Sequence, residues 1–160
     1  MKVRPKLTIE RTYEASPDEV WELLTTKDGI EAWMGPDGFS VSVRELDLRP
    51  GGALVYHMAA VGPDQVEYMK KAGLALVTVQ HVRFVDIDAP RRLVYHDLAD
   101  FIPGVEPYEV ETVVELHPVG GRTRLVLTFD AMHDAHWTEM ATLGHESALN
   151  KLGELLKTRS

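Results

Sequence analysis

The segment from about Asp134 to Lys157 has the spacing of one long amphipathic helix, and it constrains the fold more than any other stretch. At 100° per residue its apolar side chains gather in one wide stripe, whereas Glu139, Glu146 and Glu154 fall on the other side. Asp134 is the expected N-cap. A helix with such a stripe must pack against a surface that the rest of the chain supplies. The stripe contains Trp137, Ala141, Gly144, Ala148, Leu149, Leu152, Leu155 and Leu156.

Gly144 and His145 interrupt this apolar stripe. Glycine costs about 1 kcal/mol relative to alanine inside a helix. Gly144 therefore predicts either the close approach of another backbone or a space that is left empty. His145 stands where a simple core helix would carry leucine. It either hydrogen bonds a ligand in an apolar pocket or is a core histidine satisfied by a carbonyl or a buried water.

The residues before this helix predict a sheet and two short helices. Ser16-Pro17-Asp18-Glu19 combines an N-cap hydroxyl, a proline at the first helical position and a glutamate that can reach back to the cap. A second short helix is expected from about Asp28 to Trp33. Alternating segments predict strands at Leu7–Tyr13, from Phe39, and at Ala53–Val61, Val77–Ile87, Leu93–Asp97, Tyr108–His117 and Thr123–Phe129. This order predicts an α+β fold, in which a curved antiparallel sheet of about six to seven strands wraps around the long C-terminal helix.

Length, charge and composition narrow the functional classes. The 160 residues are expected to form a single domain over 1–160. The net charge is −8 and the seventeen basic residues are scattered, so nucleic acids and anionic membrane surfaces are not expected partners. The chain has no cysteine, no apolar run of about 18 residues, and a first stretch too short and polar for a signal peptide. A cytoplasmic location is the expectation.

Several stretches together carry a resemblance to a known family. They are Ser16-Pro17-Asp18-Glu19-Val20-Trp21, Trp33-Met34-Gly35-Pro36, Gly38-Phe39, Glu45-Leu46-Asp47-Leu48-Arg49-Pro50-Gly51-Gly52, and the closing helix with Leu149, Leu152 and Leu156. The chain resembles the bacterial proteins similar to the C-terminal domain of the activator of the heat-shock protein 90 ATPase. These belong to the START-like, SRPBCC or Bet v-like superfamily, which has the helix-grip fold.

The resemblance implies a deep, largely apolar cavity between the sheet and the long helix. Different members use it for lipids, polyketides, hormones or flavonoid-like molecules, and only some members are enzymes. Met34 and His145 stand where the family often has tryptophan. Both differences imply a roomier pocket, and the second implies a more polar one.

Catalytic and metal-binding motifs give no positive signal. The chain has no nucleophile elbow, Walker loop or dinucleotide glycine pattern. His145-Glu146 begins like a zinc-protease helix, but Leu149 occupies the position of the second histidine. His133 and His136, with Asp134 and Asp130, either bind a metal or form a capped, solvated turn; the turn is the favoured interpretation, and no metal or cofactor is expected.

Eleven residues are the candidates for ligand contact. Arg11 shares the inward register of Ile9, where it is either part of a structural ion pair or an anchor for an acidic ligand group. Phe84 and Tyr95 are on strands that fit either register. The candidates are Arg11, Trp33, Met34, Phe39, Tyr56, Phe84, Tyr95, Phe101, Trp137, Ala141 and His145.

Two predicted loops, Gly62–Leu76 and Asp97–Tyr108, are unusually apolar. They either cover the mouth of a cavity, form the contact of a homodimer, or fold back to plug the end of the core. The first two alternatives are slightly favoured.

These observations favour a non-enzymatic protein that binds a small hydrophobic ligand, such as a lipid, polyketide or flavonoid-like molecule. One alternative is a cyclase or hydrolase in which a cavity histidine acts as general acid or base. Another is a module that interacts with a chaperone, similar to the heat-shock protein 90 ATPase activator. Replacing His145 with leucine is expected to weaken a ligand that has a polar head.

Overall fold

The computed structural model describes residues 5–100 and 102–159, which form one antiparallel sheet and four helices. The sheet order is β1-β7-β6-β5-β4-β3-β2, so the first strand lies beside the last. Register shifts in β2 and β4 add to the curvature of the sheet. The predicted α+β helix-grip architecture is confirmed. The elements are β1 Lys6–Tyr13, α1 Pro17–Thr25, α2 Lys27–Trp33, β2 Phe39–Leu46, β3 Ala53–Ala60, α3 Pro63–Lys71, β4 Val77–Asp88, β5 Arg92–Ala99, β6 Tyr108–Val119, β7 Arg122–Asp130 and α4 Ala135–Arg159.

The predicted start of α1 is present in atomic detail. The Ser16 hydroxyl accepts from the Glu19 amide at 3.3 Å, and the Glu19 carboxylate accepts from the Ser16 amide at 3.3 Å. Thr26 ends α1 and caps α2, because its hydroxyl accepts from the Gly29 amide at 3.1 Å. The two short helices are therefore joined by a single residue, which fixes their packing.

The long helix α4 has two halves with different surroundings. In its C-terminal half, Leu149 and Leu152 are fully buried, and the Tyr13 hydroxyl donates to the Leu149 carbonyl at 2.8 Å. In its N-terminal half, every residue from Ala135 to Ser147 keeps part of its surface exposed. Asp134 caps the helix as predicted, since its carboxylate accepts from the Trp137 amide at 2.8 Å. The apolar stripe is thus in close contact with the sheet over only part of its length.

The predicted loop Gly62–Leu76 contains a helix, α3, which the sequence interpretation missed. Pro63 stands at its first turn, Asp64 lies in that turn, and Lys70 and Lys71 lie in the last. These are regular helix start and stop signals, and each charge suits the adjacent end of the helix dipole. The loop interpretation rested on the apolar side chains of the segment.

Across residues 5–100 and 102–159, no helix combines the length and hydropathy that crossing a membrane would require.

Replacing Gly29 with alanine is expected to destabilise the fold. A Cβ at Gly29 would lie 2.5 Å from the Leu23 carbonyl oxygen, and that oxygen also accepts from the Trp33 indole at 2.9 Å. The clash is with backbone, so α1 and α2 must separate, at a cost of about 1–3 kcal/mol. Urea unfolding measures the loss. Gly144→Ala is the matched control, because a Cβ there has no atom within 4 Å; equal stability of the two variants would contradict this account of the α1–α2 contact.

Candidate functional site

A cavity of about 570 Å³ lies between the sheet, α3 and the N-terminal half of α4. Residues of α4 between Trp137 and Ser147 form one of its walls, and every residue from 135 to 147 keeps part of its surface exposed. Gly144 widens it, since a Cβ at this position would meet nothing within 4 Å. Of the two alternatives for Gly144, the structure shows the empty space. The apolar lining includes Phe39, Met58, Tyr68, Met69, Leu74, Met132, Trp137, Met140, Ala141 and Leu143.

Methionines are concentrated in the cavity wall. Met58, Met69, Met132 and Met140 line it, which is four of the six methionines of the chain. The methionine side chain is unbranched and polarisable, so it adapts to irregular shapes. The wall can therefore close around apolar molecules of different outline.

Helix α3 forms one side of the cavity mouth. Tyr68 of α3 is 41% exposed, and no residue of this helix is buried. On the opposite side of the mouth, Leu143 of α4 is 55% exposed. A helix with no buried side chain is held by little apolar contact, so α3 is a wall that can move at low free-energy cost. This placement suits the lid interpretation of the segment Gly62–Leu76, which remains a prediction.

The cavity has a small polar floor on β4. Gln80 is only 8% exposed, and its Nε2 donates to the Thr78 hydroxyl at 2.9 Å. Its Oε1 has no hydrogen bond to any residue that the structure describes. Asp37 and Asp64 are exposed at the rim, and the lining includes no lysine, arginine or histidine among the described residues.

Asp97 lies on the concave face of the sheet, beside this floor. On β5 it lies two residues from the buried Tyr95 and therefore on the same face, and it pairs with Val82 of β4. Burial raises the pKa of Asp97 to about 7, and the neighbouring His96 opposes this shift only in part. The carboxyl group is thus close to half protonated at neutral pH. Sequence reasoning missed this residue because a single aspartate near a strand end is indistinguishable from a solvent-exposed one.

The structure distributes the predicted site residues over several environments. Phe39, Trp137 and Ala141 line the cavity as expected. Four others belong to the packed core instead, and Met34 packs against that core. The reason is that α1, α2 and the C-terminal half of α4 pack on the concave face, so these inward side chains contact protein over most of their surface. The four core residues are Trp33, Tyr56, Phe84 and Tyr95.

Arg11 lies away from the cavity, in a shallow hollow between β1 and α4. Its guanidinium is 3.8 Å from the Glu146 carboxylate and donates to the Glu10 carbonyl at 2.9 Å. This geometry corresponds to the structural ion pair, one of the two predicted alternatives. Phe101 lies outside the described residues.

His145 packs against the sheet rather than among the lining residues. Its ring centroid is 4.5 Å from that of Phe129, with the planes tilted by 49°. Burial lowers the pKa of His145 to about 4, so the ring is neutral at pH 7. None of the described residues hydrogen bonds to its imidazole. A role in ligand contact stays a prediction.

The residues around His133 form a capped turn. The Tyr108 hydroxyl is 2.8 Å from His133 Nδ1, and Asp134 caps α4. Asp130 is engaged with Lys6 at 2.6 Å and with the Glu111 amide at 2.9 Å. Within the described part of the chain, no group of three or more metal-binding side chains comes together.

Replacing Asp97 with asparagine is expected to raise stability, and the gain should grow with pH. Because the folded pKa, about 7, exceeds the ordinary value of 3.8, the stabilising contribution of the protonated carboxyl is complete below about pH 3.8 and is lost as pH rises through 7. Asparagine does not titrate, so at pH 8 the gain is expected to be on the order of 2–4 kcal/mol. Thermal unfolding between pH 4 and 8 measures it.

The exposed Asp100, three residues further along, provides the matched control. Asp100→Asn is expected to leave the pH dependence of Tm unchanged. A gain for Asp97→Asn that is the same at pH 5 and pH 8 would show that burial does not shift this carboxyl.

Comparisons with known proteins agree with this architecture. A protein from Chromobacterium violaceum of known structure superposes with a TM-score of 0.77 at 23% identity, covering 94% of this chain and 96% of that chain. A protein from Staphylococcus epidermidis gives 0.74 at 20% identity, with 100% and 94% covered. The AHSA1-like protein from Aeromonas hydrophila gives 0.73 at 23% identity, with 97% and 94% covered. At these identities the likeness shows the fold alone.

No curated protein matches the chain. The sequence profile described as "Activator of Hsp90 ATPase homolog 1-like protein" matches residues 14–157, nearly the whole chain. Together with the seven-stranded helix-grip fold, this match shows that the chain belongs to the family of Activator of Hsp90 ATPase homolog 1-like proteins, which is consistent with the START-like superfamily.

Proposed function

We propose that this protein binds a small, mostly apolar molecule in the cavity between the sheet, α3 and α4. The observation that carries the proposal is the cavity itself, which α4 lines with Trp137, Ala141 and Gly144 and in which a Cβ at Gly144 would meet no atom within 4 Å. Its volume of about 570 Å³ lies within the roughly 300–1,000 Å³ range of small-molecule sites. The family fold is compatible with this role.

The ligand would lie between two aromatic side chains and the methionine wall. Phe39 at the start of β2 and Trp137 in the first turns of α4 supply the aromatic faces, and Ala141 gives a flat helical surface between Trp137 and Gly144. Burial of the ligand's apolar surface would supply the binding free energy, at roughly 25 cal/mol per Å². The polar groups of Gln80 and Ser147 would orient it.

The cyclase or hydrolase alternative has less support. A histidine that acts as general acid or base needs to reach the substrate, and its free ring nitrogen is usually oriented by a second polar group. His145 contacts Phe129, and no described residue hydrogen bonds to its ring. Turnover of a bound compound that is lost in His145→Leu would establish catalysis. The chaperone alternative rests on the family description alone, and stimulation of a heat-shock protein 90 ATPase would establish it.

Filling the space at Gly144 is expected to abolish ligand binding. In Gly144→Leu, the Cβ meets no atom within 4 Å and the residue lines the cavity, so the new side chain is expected to occupy cavity space. The affinity for the uncharged fluorescent probe N-phenyl-1-naphthylamine should fall at least about tenfold, which corresponds to about 1.4 kcal/mol of lost binding free energy. Fluorescence titration measures the affinity, and Tm should not fall.

Asn150→Leu is the matched control, because it adds the same side chain to an exposed position of α4 outside this cavity. It should bind the probe as the parent protein does. Equal probe affinity in Gly144→Leu and the parent would place the binding site elsewhere and overturn the proposal.

A further inference from the structure

Two side-chain oxygens at or beside the floor of the cavity can accept a hydrogen bond and have no hydrogen bond to the described residues. Gln80 lines the cavity and uses its Nε2 to donate to Thr78, which leaves its Oε1 without a hydrogen bond to the described residues. Tyr56 lies directly opposite Gln80 on β3, is only 6% exposed, and its hydroxyl has no hydrogen bond to the described residues. These are two nearly buried polar side chains with unused capacity, so the floor is built to meet a polar group.

Asp97 extends this floor across the next strand. Because Asp97 pairs with Val82, it is the diagonal neighbour of Gln80 at roughly 7–8 Å. Burial raises the pKa of the Tyr56 hydroxyl, and the charge of Asp97 adds to this shift. Every side-chain nitrogen or oxygen of the described residues either has a hydrogen bond or reaches open space. The Asp97 carboxyl and the Tyr56 hydroxyl therefore both reach open space on the concave face.

The charges around the cavity have one sign. Asp37 and Asp64 stand at the rim, Asp97 is the diagonal neighbour of Gln80 on the adjacent strand, and the described lining holds no basic side chain. His145 is the basic group that α4 presents to the same interior, and burial keeps it neutral. The whole chain carries a net charge of −8. Entrance and floor thus both favour a cation over an anion.

We propose that the cavity takes an amphiphile with an apolar body and a protonated amine, whose N–H groups donate to Gln80 and Asp97. This inference rests on the proposed function and names the chemistry of its ligand. An ammonium group supplies a counter-charge close by and donors to a carboxylate that accepts no hydrogen bond from the described residues. A fatty acid would instead bring a second carboxylate beside Asp97 and offer Gln80 Oε1 no donor.

The pH dependence of binding follows from the groups that face Asp97. Tyr56 from β3 and Tyr95 from β5 both have a raised pKa and stay neutral, His145 from α4 is neutral above about pH 4, and Gln80 from β4 does not titrate. Among these groups, Asp97 is the one that ionises between pH 6 and 8, because burial raises its pKa to about 7. Amine affinity should rise over this range.

The test compares decylamine, decanol and decanoate, which share one apolar chain, by isothermal titration of the full chain at pH 6 and pH 8. At pH 8, decylamine should bind about tenfold more tightly than decanol, as expected for charge-assisted hydrogen bonds, and decanoate should bind most weakly. At pH 6 the preference for the amine should shrink. Asp97→Asn should remove most of it, whereas Asp100→Asn should keep it.

The outcomes separate the two proposals. Decanol binding as tightly as decylamine, or decanoate binding most tightly, overturns the amine preference and leaves the apolar cavity intact. Failure of all three compounds to bind the parent protein overturns the proposed function and this inference with it. If Asp97→Asn does not fold, Gln80→Leu and the pH dependence of the parent protein carry the test, and an amine preference unchanged by both overturns the inference.

Discussion

The anchoring of α4 at one end is the constraint on which the rest of the structure depends. Leu149 and Leu152 are fully buried, which contributes roughly 1.5–3 kcal/mol per side chain, and Tyr13 donates to the Leu149 carbonyl at 2.8 Å. The N-terminal half is less deeply buried, and there α4 lines the cavity with Trp137, Ala141 and Gly144. Firm packing at one end of the helix thus goes together with open space at the other.

The interior that results tolerates two ionisable groups by keeping them uncharged. Burial raises the pKa of Asp97 to about 7 and lowers that of His145 to about 4. Between these values both side chains are neutral in the folded protein, whereas in the unfolded chain one or both would be charged. The two contributions oppose each other: the Asp97 contribution is lost as pH rises towards 7, and the His145 contribution is lost as pH falls towards 4.

The sequence was sufficient for the parts of the fold that depend on local periodicity and capping. Ser16 and Asp134 signalled their helix starts, and alternation placed the strands to within a few residues. How deeply an inward side chain is buried was not predictable in the same way. Trp33 and Tyr95 were predicted to line the pocket, but both belong to the buried core. For a strand residue such as Tyr95, alternation shows at most the face on which it lies and not what covers that face. Whether an inward side chain meets a helix or open space depends on how the helices pack on the sheet.

The residues at the cavity differ in how firmly the fold holds them. Met69 and Tyr68 belong to α3, which has no buried side chain, so this part of the wall can adjust to an apolar body. Gln80 and Asp97 belong to strands in the interior of the sheet, each hydrogen bonded on both sides. Their positions cannot shift without breaking that pairing. Under the proposed function, selectivity therefore comes from the fixed polar floor, while the adaptable wall sets how large an apolar body is accepted.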